Sequence, residues 1–383
     1  MGKIFGRLRD EVARPDIDRL LDKSWRAYYA TATVLSVKKP VASDEEIALS
    51  VPTHVIAHHL ARFWFYPTLL GAFLLGCFVP SLGQAMNRLD VLPYLVGAAF
   101  FLNGFTLSTR SLLGSFRQWR ILLAAVLLIF LIAPGLMFLL CHYLPGGQSP
   151  LGQGFQLVAL VPTMLVSAVV LTRTARGNGA LALFLTVMAN LLAILLVPPL
   201  IALTLGSSGS TLHIADTSLT LVGTVLLPTL LGQYARVHLQ TWAVRHERPI
   251  GILSQSTILL FILIGLGALP HGQIAGRSWL PVIGGVLAFR VLLLGLGWLA
   301  GLLLRLDGAA RKALTFCSSQ KSMVFTVLLW ERLYAHRGAL YGLVLLPGIL
   351  FYIVELVTDS ILAQWWAMKS EGRRVKSESS ETF

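Results

Sequence analysis

Apolar residues along this chain crowd into long runs separated by short polar stretches, and ten of those runs are long enough to cross a bilayer. A helix spanning ~30 Å of hydrocarbon needs about 20 mostly apolar residues. The runs fall at residues 63–79, 91–107, 121–144, 155–174, 180–206, 218–234, 250–269, 279–304, 313–330 and 340–366. The pattern predicts an all-α integral membrane protein with ten transmembrane helices. The ninth run breaks its own rule: residues 316–322 read Phe-Cys-Ser-Ser-Gln-Lys-Ser. A charge at hydrocarbon depth costs at least ~2.5–3.5 kcal/mol on insertion scales, so Lys321 marks a buried polar pathway. The alternative is that Lys321 snorkels to an interface or sits locked in an ion pair.

The fourth run is interrupted as well. It contains Pro162, Thr163 and Ser167 and leads through Thr172 to Ala-Arg-Gly-Asn at residues 175–178, where the break is expected. A weak repeat supports pairing these two runs, because Pro-Thr-Leu-Leu-Gly at residues 67–71 recurs at 228–232. If runs one to five and six to ten are two copies, an odd number of spans per copy forces opposite orientations, giving a 5+5 inverted repeat. The fourth and ninth helices then correspond as crossed discontinuous helices, whose freed backbone groups can hold ions or charged substrate groups.

Residues 1–60 carry dense mixed charge and read as a cytoplasmic, partly amphipathic helical segment that lies on the membrane or packs on the body of the protein. Ser43 and Glu46 have the spacing of a capping box. His54 and His58 share a helical face and have metal-ligand spacing, but no Cys, Asp or Glu stands close by to complete a site. Residues 61–368 form the expected transporter domain, with repeats at 63–206 and 218–368, followed by a cytoplasmic tail at 369–383.

Composition agrees with the pattern: 55% hydrophobic, 13% charged, mean hydropathy +0.73. The net charge of +13 would suit a nucleic-acid partner, but its distribution points to the membrane. Even-numbered connections carry Arg110, Arg117, Arg120, Arg173, Arg176, Arg236, Arg245, Arg248, Arg305, Arg311 and Lys312, whereas odd-numbered ones carry only Arg88, Arg277, Arg332 and Arg337. The positive-inside rule then places both termini in the cytoplasm. The N-terminal residues lack the apolar core and cleavage site of a removable signal peptide. Cys77, Cys141 and Cys317 all fall in apolar runs, which implies no disulfide framework.

Charges inside spans need partners. Glu355 and Asp359 lie four apart on one face of the tenth run, and Arg290 sits inside the eighth. Lys321 with Glu355, or Arg290 with Asp359, are the expected pairs. Asn103 in the second run either faces a cavity or bonds to a neighbouring helix.

The stretch PTMLVSAVVLTRTARGNGALALFLTVMANLLAILLVPPL, with FFLNGFTLSTRSL before it and FCSSQKSM after it, resembles the bile acid:sodium symporter superfamily. The order of motifs, with LGSSGS at 205–210 and LLPTLLGQYARVH at 226–238, is most similar to its sodium/bile acid cotransporter 7-like branch. The resemblance covers residues 63–368 and implies a panel domain from spans one, two, six and seven and a core domain holding the crossed helices. It also implies where sodium-coupled relatives bind their ions. There the chain departs from the family, with Ala168, Val169, Ala182 and Phe316 where side-chain oxygens are needed, and Ile129 near a third-span Gln position. Thr186 and Gln320 remain, too few ligands for sodium coupling.

An ammonium is a compact cation with three donors, so Lys321 can stand where an ion would bind and hold broken-helix carbonyls together. It is equally a candidate for proton coupling. The expected ion and substrate pathway comprises Ser167, Thr172, Asn178, Thr186, Ser318, Ser319, Gln320, Lys321 and Ser322, with Ser318 and Ser322 on one helix face. The leading reading is a secondary transporter of small organic anions or amphipathic solutes in the plasma (inner) membrane, working by alternating access without a cofactor. The resemblance leaves open a non-transporting regulator of calcium homeostasis. Ser318 and Lys321 have the Ser-x-x-Lys spacing of some hydrolases, the weakest of the readings. No Walker loop for ATP is present in the sequence.

Overall fold

The computed structural model describes residues 65–106, 118–143, 146–205, 214–270, 279–335 and 337–380. The expected N-terminal amphipathic segment, the Ser43/Glu46 cap, the His54/His58 pair and most of the motif at 205–210 lie outside the described residues.

The described residues are helical throughout, without strands. In chain order the helices are α1 Phe65–Phe78, α2 Pro80–Arg88, α3 Leu92–Thr106, α4 Trp119–Tyr143, α5 Pro150–Leu160, α6 Leu165–Thr174 and α7 Gly179–Thr204. They continue as α8 Ser218–His238, α9 Gln240–Arg245, α10 Glu247–Gly267, α11 Leu280–Leu303, α12 Gly308–Ser319, α13 Met323–Tyr334 and α14 Leu346–Ser380. Among the described residues, six helices are long and apolar enough to cross a membrane, and up to eight spans result if the bent pairs α1/α2 and α5/α6 each count as one. With Leu195, Leu203 and Leu303 more than two-thirds exposed on their outer faces, this is the surface of an integral membrane protein.

Proline and π turns shape these helices. Pro80 opens α2, where its missing N–H costs nothing, and the chain bends by 85° between α1 and α2. The residues of α2 follow the first apolar run in sequence but pack beneath α10, where Asn87 Nδ2 donates to the Ile264 carbonyl at 3.2 Å. Inside α4, a π turn at Leu128–Ile132 is followed by Pro134. A second π turn, Val222–Leu226 in α8, is followed by Pro228 in the same way.

Two sets of helices pack among themselves. α1, α2 and α3 pack on α10, and the later half of α8 packs on α3. Small residues allow this closeness, since a Cβ at Gly104 would fall on the Thr229 carbonyl and one at Gly232 on the Phe101 carbonyl. The second set consists of α4, α5, α6, α7, α11, α12 and α14.

Two expected features are placed differently here. The discontinuity of the fourth run lies at residues 161–164, where α5 and α6 meet at 67°, and not at 175–178. Pro162 supplies no N–H to continue α5, whereas residues 175–178 form a tight connection that Arg176 enters at positive φ and Asn178 ends by capping α7. Within the expected C-terminal tail, α14 stays helical to Ser380. Ser318 and Ser322 do not share a helix face, because the chain is extended at Gln320 (φ −76°, ψ 149°) and again at Ser322.

Candidate functional site

Helices α5/α6 and α12/α13 cross at their breaks, and the main chain itself ties the crossing together. The N–H of Ser322 donates to the Pro162 carbonyl at 2.8 Å. A few residues away, the Ser167 hydroxyl in the first turn of α6 donates to Gln320 Oε1 at 3.0 Å. Asn190 on α7 adds a third tie, its amide donating to the Thr163 carbonyl at 3.0 Å and to the Thr186 carbonyl at 2.8 Å. Broken helices leave unpaired N–H and C=O groups that apolar surroundings cannot satisfy, so the bonds to the Pro162 and Thr163 carbonyls answer a deficit the first break creates.

Lys321 lies in the second break and is only 2% exposed. Its ammonium donates to the carbonyls of Ala159 at 2.8 Å, Val161 at 3.1 Å and Ile129 at 3.4 Å. All three donors of the ammonium therefore find acceptors, and each acceptor is free for a local reason. Ala159 and Val161 end α5, where helical carbonyls lose their partners and the helix dipole favours a cation. Ile129 stands inside the π turn, where the N–H of Ala133 goes to Leu128, and the next residue, Pro134, has no N–H to offer.

The other break is held by a guanidinium. Arg290 of α11 is fully buried, donates to the Ser319 carbonyl at 2.6 Å and to Asp359 of α14, and lies 3.8 Å from Glu355. Asp359 also accepts from the Gln320 amide at 2.7 Å. Thus the C-terminal ends of α5 and α12 each carry a side-chain cation on their last carbonyls. Of the expected pairs, Arg290 with Asp359 is present. Lys321 meets Glu355 through its main-chain N–H, at 2.8 Å, and not through its ammonium. Two basic side chains, Arg290 and Lys321, and two acidic ones, Glu355 and Asp359, are thus buried together at the crossing.

The remaining predicted residues fall into two groups. Ser167, Gln320, Lys321 and Ser322 are brought together at the crossing, with Ser319 contributing its carbonyl. Ser318 and Ser319 hydroxyls turn back onto their own helix, donating to Thr315 at 3.4 Å and Phe316 at 3.5 Å, and the Thr186 hydroxyl does the same to Leu183. The Ser322 hydroxyl caps α13 by accepting from Phe325 at 3.3 Å. Thr172 and Asn178 lie at the far end of α6, away from the crossing; Asn178 accepts from the Leu181 N–H at 2.9 Å. Asn103 is half-buried on α3, a helix that touches both α6 and α13. The Lys321 ammonium is directed at carbonyls and not at the Ser318 hydroxyl, so the Ser-x-x-Lys spacing forms no contact between these groups.

Sequence reasoning missed Asn190, the Ile129 carbonyl and Lys312. Asn190 was visible as a polar residue in an apolar run. Lys312 reads as a loop charge, yet it is buried and donates to the Ala175 carbonyl at 2.7 Å and to Ser370 at 3.0 Å, closing the end of α6. Apolar side chains are buried at several of the positions where the resemblance implies sodium ligands. Phe316 is packed against Ala175, Ala363 and Trp366, with Ala168 and Ala182 fully enclosed.

Comparison with known proteins agrees with this architecture. An uncharacterized protein of Pseudomonas aeruginosa is 28% identical over 313 residues, covering 80% of this chain and 93% of its own length. The putative symporter YfeH of Escherichia coli K12 is 27% identical over 330 residues, covering 82% of this chain and 96% of its own. Sodium/bile acid cotransporter 7-B of Xenopus laevis is 24% identical over 324 residues, covering 80% and 92%. The profile of the SBF-like CPA transporter family matches residues 63–368, from the start of the first apolar run to the last turns of the membrane part of α14. With two broken helices crossing over buried charges and that match spanning the whole helical body, the chain belongs to the SBF-like CPA transporter family.

Proposed function

We propose that this protein is a secondary transporter moving small organic anions or amphipathic solutes by alternating access, and that it does so without sodium. The observation that carries the reading is the crossing itself: two helix breaks joined by the bond from Ser322 to Pro162 and lined by the half-buried Ser167 hydroxyl. Maintaining fully buried Arg290, Lys321, Glu355 and Asp359 in a membrane body is costly, which favours a working site over an inert scaffold. The first N–H groups of α6 have no side-chain cap, a feature that suits an anionic solute.

In this reading the helices form ten spans in a 5+5 inverted repeat, at about 63–206 and 218–368. The set around α10 is the panel and the set around α12 is the core, and the two move against each other. Both termini lie in the cytoplasm and the membrane is the plasma (inner) membrane. The apolar packing of Phe316, Ala168 and Ala182 supports sodium independence, as does a cluster that already sets two basic side chains beside two acidic ones. The same packing favours a second reading, a family member that regulates ion homeostasis without carrying solute.

Uptake of candidate organic anions into proteoliposomes, in sodium chloride and in choline chloride, separates these readings. Concentrative uptake that is equal in both salts supports the proposal. Uptake that collapses in choline overturns sodium independence, and absence of uptake across the panel of anions favours the regulator.

A further inference from the structure

The three carbonyls around Lys321 have the properties of a cation site. Ile129 comes from the π turn of α4, and Ala159 and Val161 from the end of α5, so two separate helices contribute oxygens to one point. Each carbonyl is released from helical bonding by geometry or by proline, and none depends on Lys321 for being free. The point they share is occupied by a nitrogen at 2.8, 3.1 and 3.4 Å, distances that match N–H···O bonds and an ammonium-sized monovalent cation better than a compact ion. Rings of backbone carbonyls that replace an ion's hydration shell are the usual chemistry for such cations.

Two carboxylates and one guanidinium share the buried cluster beside it. Removing the Lys321 side chain would leave Arg290 as the one basic group facing both Glu355 and Asp359 in a fully buried cluster. The main-chain N–H of Lys321 would still bond Glu355, so the break keeps its shape when the side chain is shortened.

We propose that Ile129, Ala159 and Val161 form a monovalent-cation site whose permanent occupant is the Lys321 ammonium, and that a shortened side chain opens this site to free ammonium or potassium ions. Lysine here is a tethered ligand. The site needs no ion from solution, and its loading does not vary with the ionic gradient. The inference deepens the transport reading and rests on it only for that consequence, since occupancy of the site can be measured without transport.

Thermal unfolding of the purified full-length protein tests it, comparing wild type with Lys321→Ala and Lys321→Met in choline, sodium, potassium and ammonium chlorides at equal ionic strength. Wild type is expected to melt at one temperature in all four salts. Lys321→Ala is expected to melt lower in choline and to regain a few degrees in ammonium or potassium, because a ligand that binds only the folded state stabilises it by mass action. Lys321→Met, which refills the space with apolar atoms, is expected to gain nothing. The proposal is overturned if Lys321→Ala gains no more from ammonium or potassium than from choline. It is equally overturned if wild type is itself stabilised by one of the small cations, an arm that stands even where Lys321→Ala is not recovered folded. Failure of the transport reading is distinguishable, because it shows as absent uptake with the cation-dependent melting of Lys321→Ala intact.

Discussion

Glu355 accepts the main-chain N–H of Lys321 at 2.8 Å, while the side chain of that same lysine points away to the Ala159 carbonyl. The carboxylate therefore fixes the extended backbone of the second break rather than neutralising the ammonium directly. Glutamine at this position keeps an oxygen acceptor, whereas leucine leaves a buried N–H with no partner. Glu355→Leu is expected to lose about 1–3 kcal/mol more stability than Glu355→Gln, the cost of an unsatisfied buried donor. Chemical or thermal unfolding of the two variants checks the order. Identical stability would show that the bond to Glu355 does not hold the break.

Arg290 serves a carbonyl and two carboxylates at once. Replacing it with methionine leaves Asp359 and Glu355 buried together without their cation, which costs about 3–5 kcal/mol when one member of a buried pair is removed. Adding Asp359→Leu removes one of the stranded charges, so the double variant is expected to be more stable than Arg290→Met alone. Arg290→Lys is expected to rescue poorly, since a point-like ammonium cannot reproduce the guanidinium fork that spans Ser319 and Asp359. A double-mutant cycle followed by unfolding measures each of these steps.

Transport should depend on position as well as charge. Lys321 is 2% exposed at the crossing, whereas Arg88 is exposed at the end of α2. At matched amounts of folded protein, Lys321→Ala is expected to reduce uptake at least tenfold and Arg88→Ala to leave it within the scatter of wild type, since each ~1.4 kcal/mol corresponds to a factor of ten. Equal uptake by the two variants would remove Lys321 from the pathway. Ser167→Ala, which deletes the 3.0 Å bond to Gln320, is expected to lower uptake while costing only about 1 kcal/mol in unfolding.

The two breaks differed in how readable they were. Residues 316–322 announced the second one because six polar or polarisable side chains interrupt an apolar run, and polar atoms at that depth require partners. Local punctuation at Gly177 and Asn178 points to residues 175–178 for the first break, while Pro162 carries the discontinuity. Proline alone is ambiguous in a membrane helix; Pro198 and Pro199 remain inside the continuous α7. What makes Pro162 a break is the set of partners waiting for the freed groups, Lys321 and Ser322 far along the chain, and no local pattern encodes those. Similarly, Lys321 was legible as a buried cation holding carbonyls, but the identity of Ile129 as one of them required the π turn.

The repeated Pro-Thr-Leu-Leu-Gly sequence makes a final test of packing against pattern. Gly71 is exposed on α1, and a Cβ there would meet nothing within 4 Å. Gly232 ends the matching sequence in α8 but is buried, and a Cβ there would collide with the Phe101 carbonyl of α3. A carbonyl fixed in a helix cannot turn aside as a flexible side chain can, so the two helices must separate. Gly232→Ala is expected to cost about 1–3 kcal/mol through overpacking. Gly71→Ala is expected to be neutral or to gain up to ~1 kcal/mol from helix propensity. Thermal unfolding of the two single variants decides it: the same letter in the same motif should give opposite signs, and matching shifts would mean that α3 and α8 are not in this close contact.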